Sequence, residues 1–260
     1  CIPRKKKSKA QIVELENQVK IIRASLGGAY IPTRVMDGAA LVELMREVIN
    51  PDPGEMYHKP YKLDPYQDLN YQCVEDSFDM KVTAGHLKIG RLGHNGKETV
   101  TRVTSYHLER DPEIAFLWTS ADNYANLLSP ELSISCPFVI TLTLMVEDQV
   151  KTQNEANLKF MDLEKKSKTS YAKYFPSVEK EVKEWGDIRQ RLATNQTSLV
   201  SYFFNITTYT QDNVEASLTT EQQVLNSFRK GGFQLIPARY HHLRNFLAML
   251  PFLSLIHISE

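Results

Sequence analysis

The chain contains 260 residues, 42% of them hydrophobic and 24% charged, which is typical of a globular protein and excludes a disordered or fibrous chain. Its 31 lysine and arginine residues balance its 31 aspartate and glutamate residues, so no overall charge directs it to nucleic acid or to an acidic membrane surface. No stretch of the sequence approaches the ~20 apolar residues that a membrane-spanning helix needs.

The N-terminal region predicts a long amphipathic helix that follows a basic cluster. The cluster spans Arg4–Lys9, and Ser8 with Gln11 matches a capping box at the start of a helix. Apolar residues then recur at steps of three and four, at Ile12, Leu15, Val19, Ile22 and Leu26. Gly27-Gly28 ends the predicted helix.

Short elements of both kinds are predicted next. Tyr30–Val35 is typical of a strand, Leu41–Ile49 has helical spacing that stops before Pro51, and residues 51–72 predict a long loop rich in proline and tyrosine. Three more strands are predicted, at Phe78–Val82, Leu87–Ile89 and Thr99–His107. Glycines between the last two predict a hairpin-like reversal.

The centre of the chain predicts a strand that leads into a helical hairpin. Alternation over Phe138–Val146 indicates a strand with one apolar face, formed by Phe138, Ile140, Leu142, Leu144 and Val146. A helical stripe follows from Ala156 to Tyr174, and Pro176 ends that helix. Ser177 can cap a second helix with apolar positions up to Leu192.

The C-terminal part predicts one more strand, helix, strand and helix. Leu199–Tyr209 alternates as a strand, and Asp212 with Glu215 can cap a helix that Gly231-Gly232 ends. Phe233–Ile236 predicts a brief strand, and Tyr240–Leu250 a last helix. The order of elements predicts an α+β fold with a mixed sheet, amphipathic helices and a projecting mixed-charge helical hairpin.

Gly90–Thr99 contains the pattern closest to a nucleotide site, because Gly96-Lys97 is reminiscent of a phosphate-binding P-loop. A P-loop requires glycine where Arg91 stands and a hydroxyl where Glu98 stands, and it opens a helix after a buried strand. The predicted hairpin therefore favours a turn over a nucleotide contact. An independent nucleotide-using enzyme built on this loop remains the alternative function.

The histidines, cysteines and carboxylates of the sequence form no recognised catalytic or metal-binding motif. His241 and His242 are adjacent, a poor spacing for a metal pair on a helix, and the three cysteines (Cys1, Cys73 and Cys136) are scattered, which favours free thiols. The carboxylates at predicted strand ends are Glu109, Asp111, Glu147 and Asp148, and solvation is their ordinary role. We assign no catalytic, cofactor-binding or metal-ligating residue.

Two charged regions are candidates for macromolecular contact. Arg4–Lys9 could contact phosphate as a basic arm, although a solvated surface is the simpler interpretation, and nucleic-acid binding is a second alternative function. Residues 149–194 are densely charged with both signs and therefore face water or a protein partner. Their lysines are Lys159, Lys165, Lys166, Lys168, Lys173, Lys180 and Lys183.

Long, unusual strings of the sequence resemble the TraC family of ATPases, which serve F-type conjugation, a type IV secretion system. The matching strings are Ile21–Leu26, Leu63–Phe78, Pro112–Trp118, Ser129–Pro137, Lys159–Glu184, Leu225–Lys230 and Arg244–Pro251. The likeness extends from about Arg4 to Phe252 and is highly specific.

The resemblance implies that residues 1–252 form an N-terminal, non-motor domain, with 1–130 and 131–252 as two conceivable subregions. Residues 253–260 depart from the family pattern, and we expect a non-native tail. The family pairs such a domain with a motor that binds ATP and magnesium, and no residue of that motor can be assigned to this sequence. The resemblance also implies a cytoplasmic protein at the inner membrane that supports pilus assembly and plasmid transfer. Its expected partners are other secretion components and neighbouring subunits.

Overall fold

The computed structural model of the chain describes residues 9–51, 62–92, 96, 98–112, 133–194 and 199–251. The predictions for Arg4 to Ser8, for 52–61, for 113–128 and for the tail 253–260 lie outside these residues. The chain divides into two compact units. One contains the described residues 9–49 and 62–74, and the other contains 50–51 and the described residues from 75 to 251.

The first unit is helical. Helix α1 (Lys9–Gly28) and helix α2 (Gly38–Ile49) confirm the periodicity of the sequence, and α3 (Leu69–Cys73) is a short helix within the predicted loop. Asp37 begins α2, since its carboxylate accepts a hydrogen bond from the Ala40 amide at 2.8 Å. Arg46 then joins α2 to α3 by donating to the Gln72 carbonyl oxygen at 2.6 Å.

The strand predicted at Tyr30–Val35 is wrong. Tyr30 has a φ of 60°, in the left-handed region that follows many helix ends. The next amide, that of Ile31, bonds back to the Leu26 carbonyl oxygen at 2.9 Å, so it closes α1 and is not available to a sheet. Residues 31–37 are irregular.

The second unit is built on an antiparallel sheet of strands β1 (Phe78–Val82), β2 (Leu87–Leu92), β3 (Glu98–Arg110), β4 (Phe138–Val146), β5 (Val200–Gln211) and β6 (Gln234–Pro237). Their order is β1-β2-β3-β5-β4, and β6 also pairs with β3. Tyr106 of β3 is opposite both Ile206 of β5 and Pro237 of β6. Strand β6 therefore continues the edge of β3 that β2 occupies.

The α+β class is confirmed, and strands from both sides of residue 130 share the sheet. Every described pairing is antiparallel, whereas the sequence suggested a mixed sheet. Strands β1, β2 and β3 follow one another as hairpins, and β5 is paired with β4, the strand that precedes it in the chain.

Helices occupy the later connections of this unit. The insertion between β4 and β5 contains α4 (Gln149–Ser167), α5 (Tyr171–Tyr174) and α6 (Ser177–Ala193). Helix α7 (Val214–Lys230) connects β5 to β6, and α8 (His242–Ala248) follows β6. The helix predicted to run to Tyr174 in fact breaks at residues 168–170, and the last helix is shorter than predicted.

The two faces of the sheet are covered by different helices. The main core lies under α7, and its buried members are Tyr106, Ile134, Ile206, Val224, Phe228 and Leu235. Asn205, next to Ile206 on β5, points to the opposite face, where its side-chain amide donates to the Asn245 carbonyl oxygen of α8 at 3.2 Å. Helices α7 and α8 therefore lie on opposite faces.

The apolar face predicted for β4 is confirmed only in its first half. Phe138 and Ile140 pack against the core under α7. Leu142 and Leu144 are 55% and 60% exposed, because β4 and β5 extend past the core toward the inserted helices.

Candidate functional site

The helices α4, α5 and α6, inserted between β4 and β5, present many exposed side chains, and we call them the helical hairpin. Its base is fixed by the sheet, since Val146 at the end of β4 is paired with Val200 at the start of β5. Asp148 caps α4 by accepting from the Lys151 amide at 2.9 Å. The neighbouring Glu147 carboxylate accepts a short hydrogen bond from the Ser201 hydroxyl.

The two long helices pack mainly on each other. Their buried residues are Thr152, Ala156, Leu163, Val178 and Leu192. The side-chain amide of Gln153 donates to the Leu192 carbonyl oxygen at 2.8 Å, so α4 supplies a partner for the C-terminal end of α6. The Arg189 guanidinium lies 4.2 Å from the centre of the Phe160 ring, a cation–π contact between the helices.

The end of the hairpin combines exposed aromatic and basic side chains, and we call it the hairpin tip. Its members are Lys165, Lys166, Lys168, Tyr171, Lys173, Tyr174 and Phe175, all of them exposed. Tyr174 is 79% exposed, and the Tyr171 and Phe175 rings stack with centres 4.5 Å apart. Clustered exposed aromatic rings are typical of a binding surface, because they offer large apolar area with little rotamer entropy to lose.

The surface charges of the hairpin are arranged as pairs one helical turn apart. Lys166 and Asp162 are 2.7 Å apart, and Lys168 and Glu164 are 2.8 Å apart. The hydrogen bonds from these lysines hold the pKa of Asp162 and of Glu164 below the usual range. Such exposed pairs contribute little stability.

The described parts of Gly90–Thr99 are paired antiparallel strands and not a strand followed by a helix, and Lys97 lies outside the described residues. Gly90, Arg91 and Leu92 belong to β2, and Glu98 pairs with Leu92 at the start of β3. A phosphate loop needs a helix N-terminus, and the described residues on both sides of the turn are strands. The Glu98 carboxylate also lies close to Gly90, 3.0 Å from where a Cβ would stand.

The histidines that are scattered in the sequence are partly brought together by the fold, since His86, His107 and His241 all lie near enough to His242 to lower its pKa. Among the described residues, no cluster of three side chains of metal-binding type occurs. His242 is buried and His241 exposed, Cys73 is buried and Cys136 half-buried, and burial raises the pKa of both thiols. Burial, together with a hydrogen bond to Asp111, raises the pKa of Tyr202 to about 12.

A buried polar group beneath α8 was not predicted. His242 is 1% exposed, and its Nδ1 accepts from the Ser105 amide at 3.2 Å. Ser105 and Thr207 share a hydrogen bond at 3.0 Å, and Asn205 is close to both Thr207 and α8. Alternation could not have found it, because β3 and β5 have polar residues on both faces: Ser105 is opposite Thr207 on this face, and Thr104 is opposite Thr208 on the other.

Comparison with known proteins gives this architecture a family. Residues 1–254 match the model of the family described as TraC protein. The chain belongs to the TraC family. It is 63% identical to Protein TraC of Escherichia coli strain K12 over 254 residues, which are 98% of this chain and 29% of that relative. The chain thus spans less than a third of the length of this TraC relative.

The resemblance found in the sequence is therefore confirmed at the level of the family. The helical hairpin lies inside the matched residues, so it is part of what this chain shares with the TraC family. Of the described helices, none is both long and apolar enough to cross a bilayer.

Proposed function

We propose that this chain is a docking and assembly domain of a TraC-type conjugation ATPase, and that the hairpin tip is its docking surface. Membership of the TraC family supports a role in conjugative transfer. The observation that carries the docking role is the hairpin tip, where three aromatic rings and four lysines are exposed at the end of the helical hairpin.

The physical case for docking rests on how the hairpin is built. Its buried side chains include Ala156, Leu163, Val178 and Leu192, and none of the tip residues is buried. Interfaces gain most of their binding energy from a few aromatic and basic anchors, and the tip supplies both. Because the base is held by the sheet, binding needs little ordering of the hairpin.

The proposed setting is the cytoplasmic side of the bacterial inner membrane, with other type IV secretion components as partners and with self-association of the chain. ATP and magnesium belong to the expected motor of TraC-type ATPases. Under this proposal the present chain contributes contacts to pilus assembly and plasmid transfer, and hydrolysis takes place elsewhere.

Competition in living donor cells tests the proposal. Producing this chain in cells that carry an F-type conjugation system should lower the frequency of transfer. The isolated docking domain would compete with the resident TraC protein for its binding site on other secretion components. The double variant Lys165→Glu/Lys166→Glu should lose at least about tenfold of this inhibition, since each 1.4 kcal/mol of lost binding is tenfold in affinity. The transfer frequency per donor is the measurement.

A matched control separates the tip from general charge effects. The double variant Lys62→Glu/Lys81→Glu changes the net charge by the same amount as the tip variant, at exposed positions outside the hairpin. This control chain should inhibit transfer as strongly as the unmodified chain. Circular dichroism and protein abundance confirm that all variants fold. Full inhibition by the tip variant would remove the tip from the interface, and no inhibition by the unmodified chain would reject the docking function.

A further inference from the structure

Helix α1 presents an apolar stripe along its length that the other described residues leave exposed. The side chains of Ile12, Leu15, Val19 and Ile22 are between 43% and 57% exposed, although α1 is 20 residues long. A helix in a folded protein gains most of its stability from packing such a face. The stripe therefore calls for a partner surface of matching shape.

The spacing of the stripe is that of a coiled coil. Residues 12, 15, 19, 22 and 26 alternate steps of three and four, which places them at positions a and d of a heptad with Ile12 and Val19 at a. Such a seam packs against another helix with the same repeat. In this heptad assignment, Glu16 and Arg23 both occupy position e, next to the apolar seam.

The charges at position e select one arrangement of two identical helices. In an antiparallel pair with Val19 opposite Ile22 of the second copy, Glu16 of each copy comes within about 3 Å in axial height of Arg23 of the other. Two opposite-charge contacts result. Both residues are exposed in α1.

The other arrangements lack this complementarity. A parallel pair places Glu16 near Gln11 and Arg23 near Gln18, so it forms no ion pair. An antiparallel pair shifted by one heptad brings Glu16 against Glu16 and Lys9 against Arg23, which are like charges and destabilising.

We propose that α1 pairs with α1 of a second copy of this chain as a short antiparallel coiled coil, with Val19 opposite Ile22 and Glu16 opposite Arg23. The overlap covers residues 13–28 of each helix, so the interface is small and the dimer is weak and dependent on concentration. This contact is independent of the hairpin tip, and its test needs no other conjugation protein.

Cysteine cross-linking tests the register directly. In a Cys1→Ser background, Val19→Cys and Ile22→Cys chains should form a disulfide when they are mixed and mildly oxidised. Each variant alone should cross-link far less, because an a position is opposite a d position in an antiparallel pair. Strong cross-linking of each variant with itself would indicate a parallel pair and overturn the proposal, as would the absence of any cross-link.

Sedimentation measures the energetics of the same contact. Ile22→Lys should abolish the dimer, whereas the matched control Ile21→Lys, at position c outside the seam and 65% exposed, should leave it intact. Glu16→Arg should weaken the dimer about tenfold by turning two attractions into repulsions, and the combined change Glu16→Arg/Arg23→Glu should restore it. A chain that is monomeric at every concentration, or equal loss with Ile21→Lys, would overturn the proposal.

Discussion

At the scale of single residues, His242 shows how a buried polar group is held neutral. Its Nδ1 accepts from the Ser105 amide, so the proton of the neutral ring lies on Nε2, a buried atom that has no hydrogen-bond partner among the described residues. Burial in this position, together with the nearby His86, lowers the pKa of His242 to about 4. The folded chain therefore contains an uncharged imidazole at pH values where an exposed histidine is charged.

This histidine predicts a dependence of stability on pH. Between pH 6.5, the pKa of an exposed histidine, and about 4, the unfolded chain binds the proton and the folded chain does not. Above about pH 6.5, His242 therefore does not lower the free energy of unfolding. As the pH is lowered from 6.5 toward 4, this free energy falls by at most about 3 kcal/mol. Urea unfolding at a series of pH values measures it.

The neighbouring histidine provides the control for this experiment. His242→Gln should flatten the decrease, and a residual slope should remain because burial also lowers the pKa of His86 and His107. His241→Gln, at an exposed position, should leave the decrease unchanged. An equal slope in the unmodified chain and in His242→Gln would show that the ring does not govern acid stability.

At the scale of elements, the helical hairpin contains a glycine in the middle of α6. A Cβ on Gly186 would lie 3.4 Å from the Phe160 ring, an ordinary van der Waals contact. Glycine in a helix interior costs about 0.5–1 kcal/mol relative to alanine. Gly186→Ala should therefore raise the free energy of unfolding by about that amount, as measured by urea denaturation.

The same substitution at a turn should have the opposite sign. Gly232 follows α7 with a φ of 82°, and a Cβ there would lie 3.1 Å from the Cβ of Pro112. Gly232→Ala should destabilise the chain by about 1 kcal/mol or more, since alanine disfavours this backbone conformation. If both variants were destabilised, the packing of Phe160 against α6 would be tighter than the structure indicates.

Periodicity in the sequence predicted most of these elements, because alternation and three-four spacing are local. Periodicity could not predict which residues of an element lie outside the core. Leu142 and Leu144 continue the alternation of Phe138 and Ile140 and yet lie beyond the core.

Residue types alone also could not show which of two neighbouring residues caps a helix. Asp212 was predicted to cap α7, but Asn213 accepts from the Glu215 amide at 2.9 Å and does so instead. Asp212 is used by the sheet, where it lies 2.6 Å from Lys88 and 3.3 Å from Arg102. The candidate surface was predicted only in part. The sequence identified its lysines as part of a densely charged region but did not predict the exposure of Tyr174 and Phe175, which follow the helix break at residues 168–170.

At the scale of the whole molecule, each of the two units carries its own exposed surface. The helical hairpin extends the second unit, and the stripe of α1 belongs to the first. Both surfaces are built from side chains that internal packing does not use. The two proposals therefore place their contacts on different units, and the chain spans 29% of the length of a TraC relative.

The last prediction concerns the nucleotide alternative. Titration of the purified chain with ATP and magnesium should give no saturable hydrolysis, because Gly90–Leu92 and Glu98 form paired strands in place of a phosphate loop. The comparison is with Lys97→Ala, which removes the lysine that a P-loop mechanism would require. Equal background rates for both chains are expected. Saturable hydrolysis by the unmodified chain that Lys97→Ala abolishes would establish a nucleotide site and replace the docking function with an enzymatic one.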